Sequence, residues 1–120
     1  MKLIELRAYN KPVNQTIIER FLETGERFIK ILPKENMIKA YPTIKQTFSD
    51  KPVKVELLNS GWIYIKKLGE DAKLNLAAKE ISKQIGKKEV TFEEVAEFEA
   101  DMLKKSGYEV VIKESEVEYE

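Results

Sequence analysis

The chain has 120 residues, no cysteine and no histidine, and its 21 basic side chains balance its 21 acidic ones. This is the length of one domain. Without cysteine, neither disulfides nor thiolate metal sites can form, and without histidine the commonest general base and transition-metal ligand is missing. No run of about 18 apolar residues occurs, and the amino-terminal segment alternates unlike a signal peptide. These features predict a cytoplasmic protein that has no membrane span and binds no cofactor.

Charge is divided unevenly along the chain. Residues 1–68 contain thirteen basic and seven acidic side chains, whereas residues 69–120 contain eight basic and fourteen acidic ones. Such a division is found in proteins that bind nucleic acid with a basic surface or that end in an acidic tail. It also arises when the two halves interleave in the fold and the surface is mixed. Lys and Glu dominate the charged 35% of the chain, which is typical of hyperthermophilic proteins.

The first third of the chain predicts a strand, a helix and a strand. Residues 2–9 alternate apolar with charged side chains and predict the first strand. A helix is predicted after Pro12, because apolar residues recur there at helical spacing: Val13, Ile17, Ile18, Phe21 and Leu22. Residues 27–32 predict a second strand that ends at Pro33.

The middle of the chain contains an undecided segment and a β-hairpin. Residues 34–50 have apolar residues at helical spacing, but Pro42 interrupts them, and residues 43–48 fit a short strand equally well. Residues 53–66 alternate, turn at Asn-Ser-Gly and return, which predicts a β-hairpin. The return strand is apolar on both faces. We therefore expect it to lie centrally or to be covered by a helix or a partner.

Two helices are predicted next. Residues 70–85 form one apolar stripe at helical spacing. The helix over residues 92–106 is the best-marked element, because Thr91 and Glu94 have the spacing of a capping box and Gly107 follows its end.

The chain then closes with a strand over residues 108–113 and an acidic, frayed tail over residues 114–120. Residues 1–113 are thus predicted to form a single α+β domain. The order of elements predicts a mostly antiparallel sheet of four to five strands with helices packed on one face. A ferredoxin-like variant is the first topology that fits this order.

Catalysis in this chain would depend on carboxylate, lysine, tyrosine and hydroxyl groups, and we predict that the chain is not an enzyme. The exception is a Mg²⁺-dependent nuclease, which needs two or three carboxylates beside a lysine. Residues on or beside the predicted hairpin offer such a group: Asp50, Lys54, Glu56 and Lys66. Alternation of Lys and Glu on a solvated strand produces the same pattern without any catalysis.

The leading functional hypothesis is a small, non-catalytic protein-interaction or accessory subunit, with a protein partner or a second copy of the chain as its ligand. The acidic helix over residues 92–106 would attract a basic partner, and aromatic residues of the return strand would seal the contact. The residues predicted to bind the partner are Trp62, Tyr64, Lys66, Lys67, Glu93, Glu97 and Asp101.

The alternative hypothesis is nucleic-acid binding by the basic amino-terminal half, with single strands preferred over duplex. Lysines and arginines interleave there with aromatic residues, and aromatic residues on an exposed sheet face can stack bases. Aromatic residues in strands more often belong to the core, in which case the lysines are merely solvated. The helices predicted over residues 70–85 and 92–106 could suggest a helix-turn-helix motif. The second of them is acidic, however, and DNA would repel it.

Overall fold

The computed structural model describes residues 1–49, 53–67 and 91–116. Two helices lie within these ranges, α1 (Lys34–Thr47) and α2 (Phe92–Lys105). Six strands form one antiparallel sheet in the order β4-β5-β3-β2-β1-β6. The strands are β1 (Lys2–Asn10), β2 (Gln15–Leu22), β3 (Arg27–Leu32), β4 (Val53–Leu57), β5 (Ile63–Lys67) and β6 (Glu109–Glu116). The predicted α+β class is confirmed, but the sheet has six strands instead of four to five.

Both helices pack on the same side of the sheet, which we call the helix face. Helix α2 covers the β1 and β2 side, where the buried residues include Leu6 and Phe21. Helix α1 covers the β3 and β5 side, where Ile63 and Ile65 are fully buried. Ile17 packs against both clusters, so the core continues across the middle of the sheet.

The prediction of a helix after Pro12 is wrong, because this segment forms strand β2, which pairs with β1 over its full length. Pro12 lies in a turn over residues 11–14, not at a helix start. The Asn14 N–H donates to the Lys11 carbonyl at 3.1 Å, and Asn14 has a φ of 49°. Asn tolerates this left-handed conformation better than most residues, so the turn suits the sequence.

The alternation of β2 was hidden by a charged residue in an inward position. Ile17, Glu19 and Phe21 pair with helix-face residues of β1 and β3 and therefore face the helices. With Glu19 counted as a surface residue, the remaining apolar side chains match a helical period better than a period of two.

Residues 34–50, which the sequence left undecided, are mainly helix α1, and Pro42 lies inside it. An internal proline costs about 3 kcal/mol. Met37 and Phe48 are buried against β3 and β5 at 3% and 7% exposure, and full burial of such a side chain contributes about 1.5–3 kcal/mol each. The Tyr41 hydroxyl also donates to the Val55 carbonyl at 3.4 Å. Tertiary packing therefore offsets the proline.

The predicted hairpin is confirmed by the pairing of β4 with β5. Strand β6 runs to Glu116, so residues 114–116 of the predicted tail belong to the sheet. The predicted helix over residues 70–85 and the tail residues 117–120 lie outside the described residues.

A ferredoxin-like variant is not confirmed, since β1 joins β2 through a turn and not through a helix. No helix in the described ranges is long and apolar enough to cross a membrane.

The capping box of α2 supplies a test of local stability. The Glu94 N–H donates to the Thr91 hydroxyl at 3.2 Å, and the Thr91 N–H donates to the Glu94 carboxylate at 3.5 Å. Thr91→Ala removes this cap, and we expect the free energy of unfolding in urea to fall by about 1 kcal/mol. Thr43→Ala, an exposed substitution within α1, is the control and should change it by less than about 0.5 kcal/mol. Equal effects of the two substitutions would contradict the role of the cap.

Candidate functional site

Three aromatic side chains lie on the side of the sheet opposite α1 and α2. Phe28 of β3 and Tyr64 of β5 are direct cross-strand partners, and their rings stack with centroids 4.5 Å apart and 4° between planes. Trp62 lies beside them, with Arg20 Cζ 4.6 Å and Lys30 Nζ 5.3 Å from its ring centroid. We call Phe28, Trp62, Tyr64, Arg20 and Lys30 the aromatic face. All five side chains are partly exposed.

Their position follows from the period of two in each strand. In β3, alternate residues Ile29 and Ile31 enter the core, which directs Phe28 and Lys30 to the other side. In β5, Ile63 and Ile65 are fully buried, which directs Tyr64 to the same side. Strand β5 is the return strand of the predicted hairpin, and this arrangement explains why it is apolar on both faces. One face packs in the core, and the other carries the aromatic stack.

Charged side chains of both signs surround the aromatic residues, and the Tyr64 hydroxyl donates a hydrogen bond to the Glu26 carboxylate. Residues on the same side of the sheet include five further charged groups on β1, β4, β5 and β6: Arg7, Lys54, Glu56, Lys66 and Lys113. Glu5 lies among them and is neutralised by Arg7 Nε at 2.6 Å and Arg20 Nε at 3.5 Å.

Two carboxylates on this side are held in the charged form. A hydrogen bond from Arg7 lowers the pKa of Glu5, burial opposes this decrease, and the charges of Arg7 and Arg20 add to it. Lys54, 2.8 Å from Glu56, lowers the pKa of Glu56 in the same way. These acids are therefore paired with cations, whereas Lys30 and Lys66 form no ion pair with a described residue.

The seven residues predicted to bind a partner are divided between two sides of the sheet. Trp62, Tyr64 and Lys66 lie together on the aromatic side, and Lys67 ends β5 opposite Val53. The three acidic residues lie exposed on α2, on the helix side: Glu93, Glu97 and Asp101. The two groups therefore do not form one continuous surface.

Of the residues considered for a nuclease, Lys54, Glu56 and Lys66 lie together on the aromatic side of the sheet. Glu56 is paired with Lys54, and Asp50 lies outside the described ranges. Within those ranges, no three acidic side chains are grouped so that they could hold a metal ion.

A second site, buried on the helix face, was missed at the level of sequence. Arg27 Nη2 of β3 lies 2.8 Å from Glu19 Oε1 of β2, and the two residues are 4% and 5% exposed. Glu99 of α2 reaches the same guanidinium at 3.5 Å. The Arg27 guanidinium also lies over the rings of Phe21 and Phe48, at 4.7 Å and 5.9 Å. We call Glu19, Arg27 and Glu99 the buried charged cluster.

The buried charged cluster borders a cavity of about 250 Å³ between α1 and α2. Glu19 Oε2 and Arg27 Nε have no hydrogen-bond partner among the described residues. Burial raises the pKa of Glu19 to about 7, the charge of Arg27 opposes this increase, and the charge of Glu99 adds to it. The only sequence signal for this cluster is a charged residue at an inward position of each of two strands.

Comparison with known proteins gives no relative, since no family model, curated protein or solved structure matches the chain. Two places in the structure are therefore the candidate functional sites. One is the aromatic face with its surrounding cations, and the other is the buried charged cluster with its cavity.

The raised pKa of Glu19 predicts how stability depends on pH. The folded protein keeps a proton on Glu19 up to about pH 7, whereas the unfolded chain loses it near the usual value of 4.5. Between these values the folded state holds more protons, so the free energy of unfolding falls as the pH rises, by at most about 1.4 kcal/mol per pH unit. Urea unfolding across this window measures the slope.

Glu19→Gln should remove this part of the slope, because the amide does not titrate. Glu56→Gln is the matched control: its carboxyl is exposed and its pKa is lowered, so it titrates below the window and the slope should remain. A slope that is the same in the wild type and in Glu19→Gln would contradict the assignment to Glu19.

Proposed function

We propose that this chain binds single-stranded nucleic acid on the aromatic face. The observation that supports this most strongly is the parallel stack of Phe28 and Tyr64 beside Trp62, on the side of the sheet away from α1 and α2. The sequence left open whether these aromatic residues are core or platform. Their exclusion from both hydrophobic clusters of the described residues favours a platform.

Stacking would supply the affinity for bases. A base stacked on an aromatic side chain contributes about 1–3 kcal/mol, with little dependence on its identity. Bases within a duplex stack on one another and offer only their edges. A platform of rings therefore selects single strands over duplex.

Cations around the rings would bind phosphates. Lys30 and Lys66 are the best placed, because each lies next to the aromatic stack and neither forms a salt bridge with a described residue, although the charge of Lys66 also helps to lower the pKa of Glu56. Arg7 and Lys54 extend the positive charge along β1 and β4, although each already contacts one glutamate. Binding through such contacts weakens as the salt concentration rises.

The protein-interaction hypothesis is less well supported by the same geometry. It requires the acidic residues of α2 and the aromatic residues of β5 to meet one partner. Glu93 and Glu97 lie on the helix side of the sheet, whereas Trp62 and Tyr64 lie on the opposite side. A single partner would have to pass around the edge of the sheet to contact both groups.

Binding is measured by the fluorescence anisotropy of labelled single-stranded DNA and RNA of about 12 nucleotides. We expect micromolar affinity at low salt, with log K falling by about 0.7 per contacted phosphate for each unit of log salt. Trp62, the only tryptophan of the chain, should change its fluorescence in the same titration. Trp62→Ala should weaken binding by about 5- to 150-fold, and Trp62→Phe should weaken it less.

A charge-matched pair of variants separates this site from general electrostatic attraction. Lys30→Ala/Lys66→Ala should reduce the salt slope by about 1.4, because two phosphate contacts are lost. Lys104→Ala/Lys105→Ala removes the same charge from the exposed end of α2 and should leave the slope unchanged. Absence of binding at low salt, or equal effects of the two double variants, would overturn the proposal.

A further inference from the structure

Strand β6 forms one edge of the sheet and is exposed along most of its length. It stands last in the strand order, and no other strand of the described residues pairs with its outer side. Val111 and Ile112 are large apolar side chains in this strand, and they are 65% and 42% exposed. The backbone N–H and C=O groups of such an edge can pair with a further strand.

The edge lacks several features that prevent the addition of a strand. Proteins commonly protect an edge with a proline, a bulge, a very short strand or charged side chains. Strand β6 contains no proline, and its residues from Glu109 to Glu116 pair with β1 in one unbroken register. Only the charged side chains remain, and their arrangement decides which strand the edge accepts.

The charges of β6 fall into a paired group and an unpaired group. Glu114 Oε1 lies 3.7 Å from Lys2 Nζ, and Glu116 Oε2 lies 3.2 Å from the terminal amine. Glu109 and Lys113, in contrast, form no ion pair with a described residue. The edge therefore presents one acid and one base that are open to a partner.

The segment from Glu109 to Lys113 is complementary to itself. In an antiparallel pair of identical strands, a two-fold axis normal to the sheet keeps each side chain on its own side, so the central residue faces its own copy. With Val111 at the centre, Val110 lies opposite Ile112. Glu109 then lies opposite Lys113, and each of these pairs occurs twice by symmetry. This register places apolar residues together and each open charge against the opposite charge.

Other registers with the same symmetry are less favourable. Ile112 at the centre would place Val111 against Lys113, and Val110 at the centre would place Val111 against Glu109. Lys113 at the centre would bring two lysines together, and like charges in directly opposite positions are destabilising. The apolar pattern of the strand therefore selects the register that is centred on Val111.

This register also fits the two sides of the sheet. Val110 and Ile112 face the helices, because their partners in β1 are the core residues Ala8 and Leu6. Val110 already packs against the hydrophobic cluster under α2. Ile112 of a second copy would lie opposite Val110 and extend that cluster, which would remove its exposed surface from water.

We propose that two copies of this chain associate through β6 and form one continuous antiparallel sheet, with Val111 opposite its own copy. Main-chain hydrogen bonds between the edges would supply affinity, and the apolar and ionic pairs would select the partner. One strand pair buries less surface than the standard interface of about 1,600 Å², so we expect a dissociation constant of about 1–100 µM.

Sedimentation equilibrium of the full chain without nucleic acid measures this association. The mass should rise from 13.9 kDa toward twice that value between about 1 µM and 500 µM protein. Val111→Glu places two carboxylates at the axis and should weaken association at least tenfold. The monomer tolerates this change, because Val111 is exposed and lies opposite Arg7. A monomer at about 500 µM, or unchanged association of Val111→Glu, would overturn the proposal.

Reversal of the two open charges tests the register. Glu109→Lys and Lys113→Glu should each weaken self-association at least tenfold, because each places like charges opposite one another twice. An equal mixture of the two variants should form a heterodimer, since opposite charges then face each other at both positions.

The matched controls are Glu97→Lys and Lys105→Glu, which make the same changes of charge on the exposed surface of α2. Each control should associate like the wild type. If the controls weaken association as much as the reversals at Glu109 and Lys113, or if the mixture stays monomeric, the proposed register is wrong.

Discussion

The fold depends on how one buried ion pair is accommodated at the centre of the sheet. Strands β2 and β3 are the two middle strands, and Glu19 and Arg27 face the helices from them. Either charge alone would be costly at this depth, and removal of one partner from such a pair typically destabilises a protein by about 3–5 kcal/mol. Because Glu99 reaches the same guanidinium from α2, the pair also ties one helix to both central strands.

The ion pair also explains why the buried core residues form two clusters, which Ile17 joins. Buried side chains under α2 form one cluster and those under α1 form the other, and the charged residues lie between them with the cavity. Apolar residues at positions 19 and 27 would let the two clusters merge, and such replacements are often neutral or stabilising. The sequence instead keeps a carboxyl group and a guanidinium beside a cavity, with the pKa of the Glu19 carboxyl raised by burial.

Local sequence patterns were sufficient to predict an element where its contacts join residues that are close together in the sequence. The capping box of Thr91 and Glu94 and the hairpin over residues 53–66 are of this kind, and both were predicted. Strand β2 was not predicted, because Glu19 occupies a core position that is made tolerable by Arg27 on the neighbouring strand β3. The same error hid the role of Arg20, since a helix at this position would not have placed it beside Trp62. The candidate sites therefore required the register of the sheet, which a single sequence does not contain.

The acidic residues of α2 and the aromatic face lie on opposite sides of the sheet, and distance keeps them independent. On the helix side, Glu97 and Asp101 lie on the outer surface of α2. Because a helix is about 10 Å in diameter, α2 itself separates these carboxylates from the sheet. The screening length at physiological salt is about 8 Å. Negative charge on α2 is therefore largely screened from the region around Lys30 and Lys66. Zero net charge in this chain is thus compatible with the proposed nucleic-acid binding, because the exposed acidic residues of α2 lie on the other side of the sheet from Lys30 and Lys66.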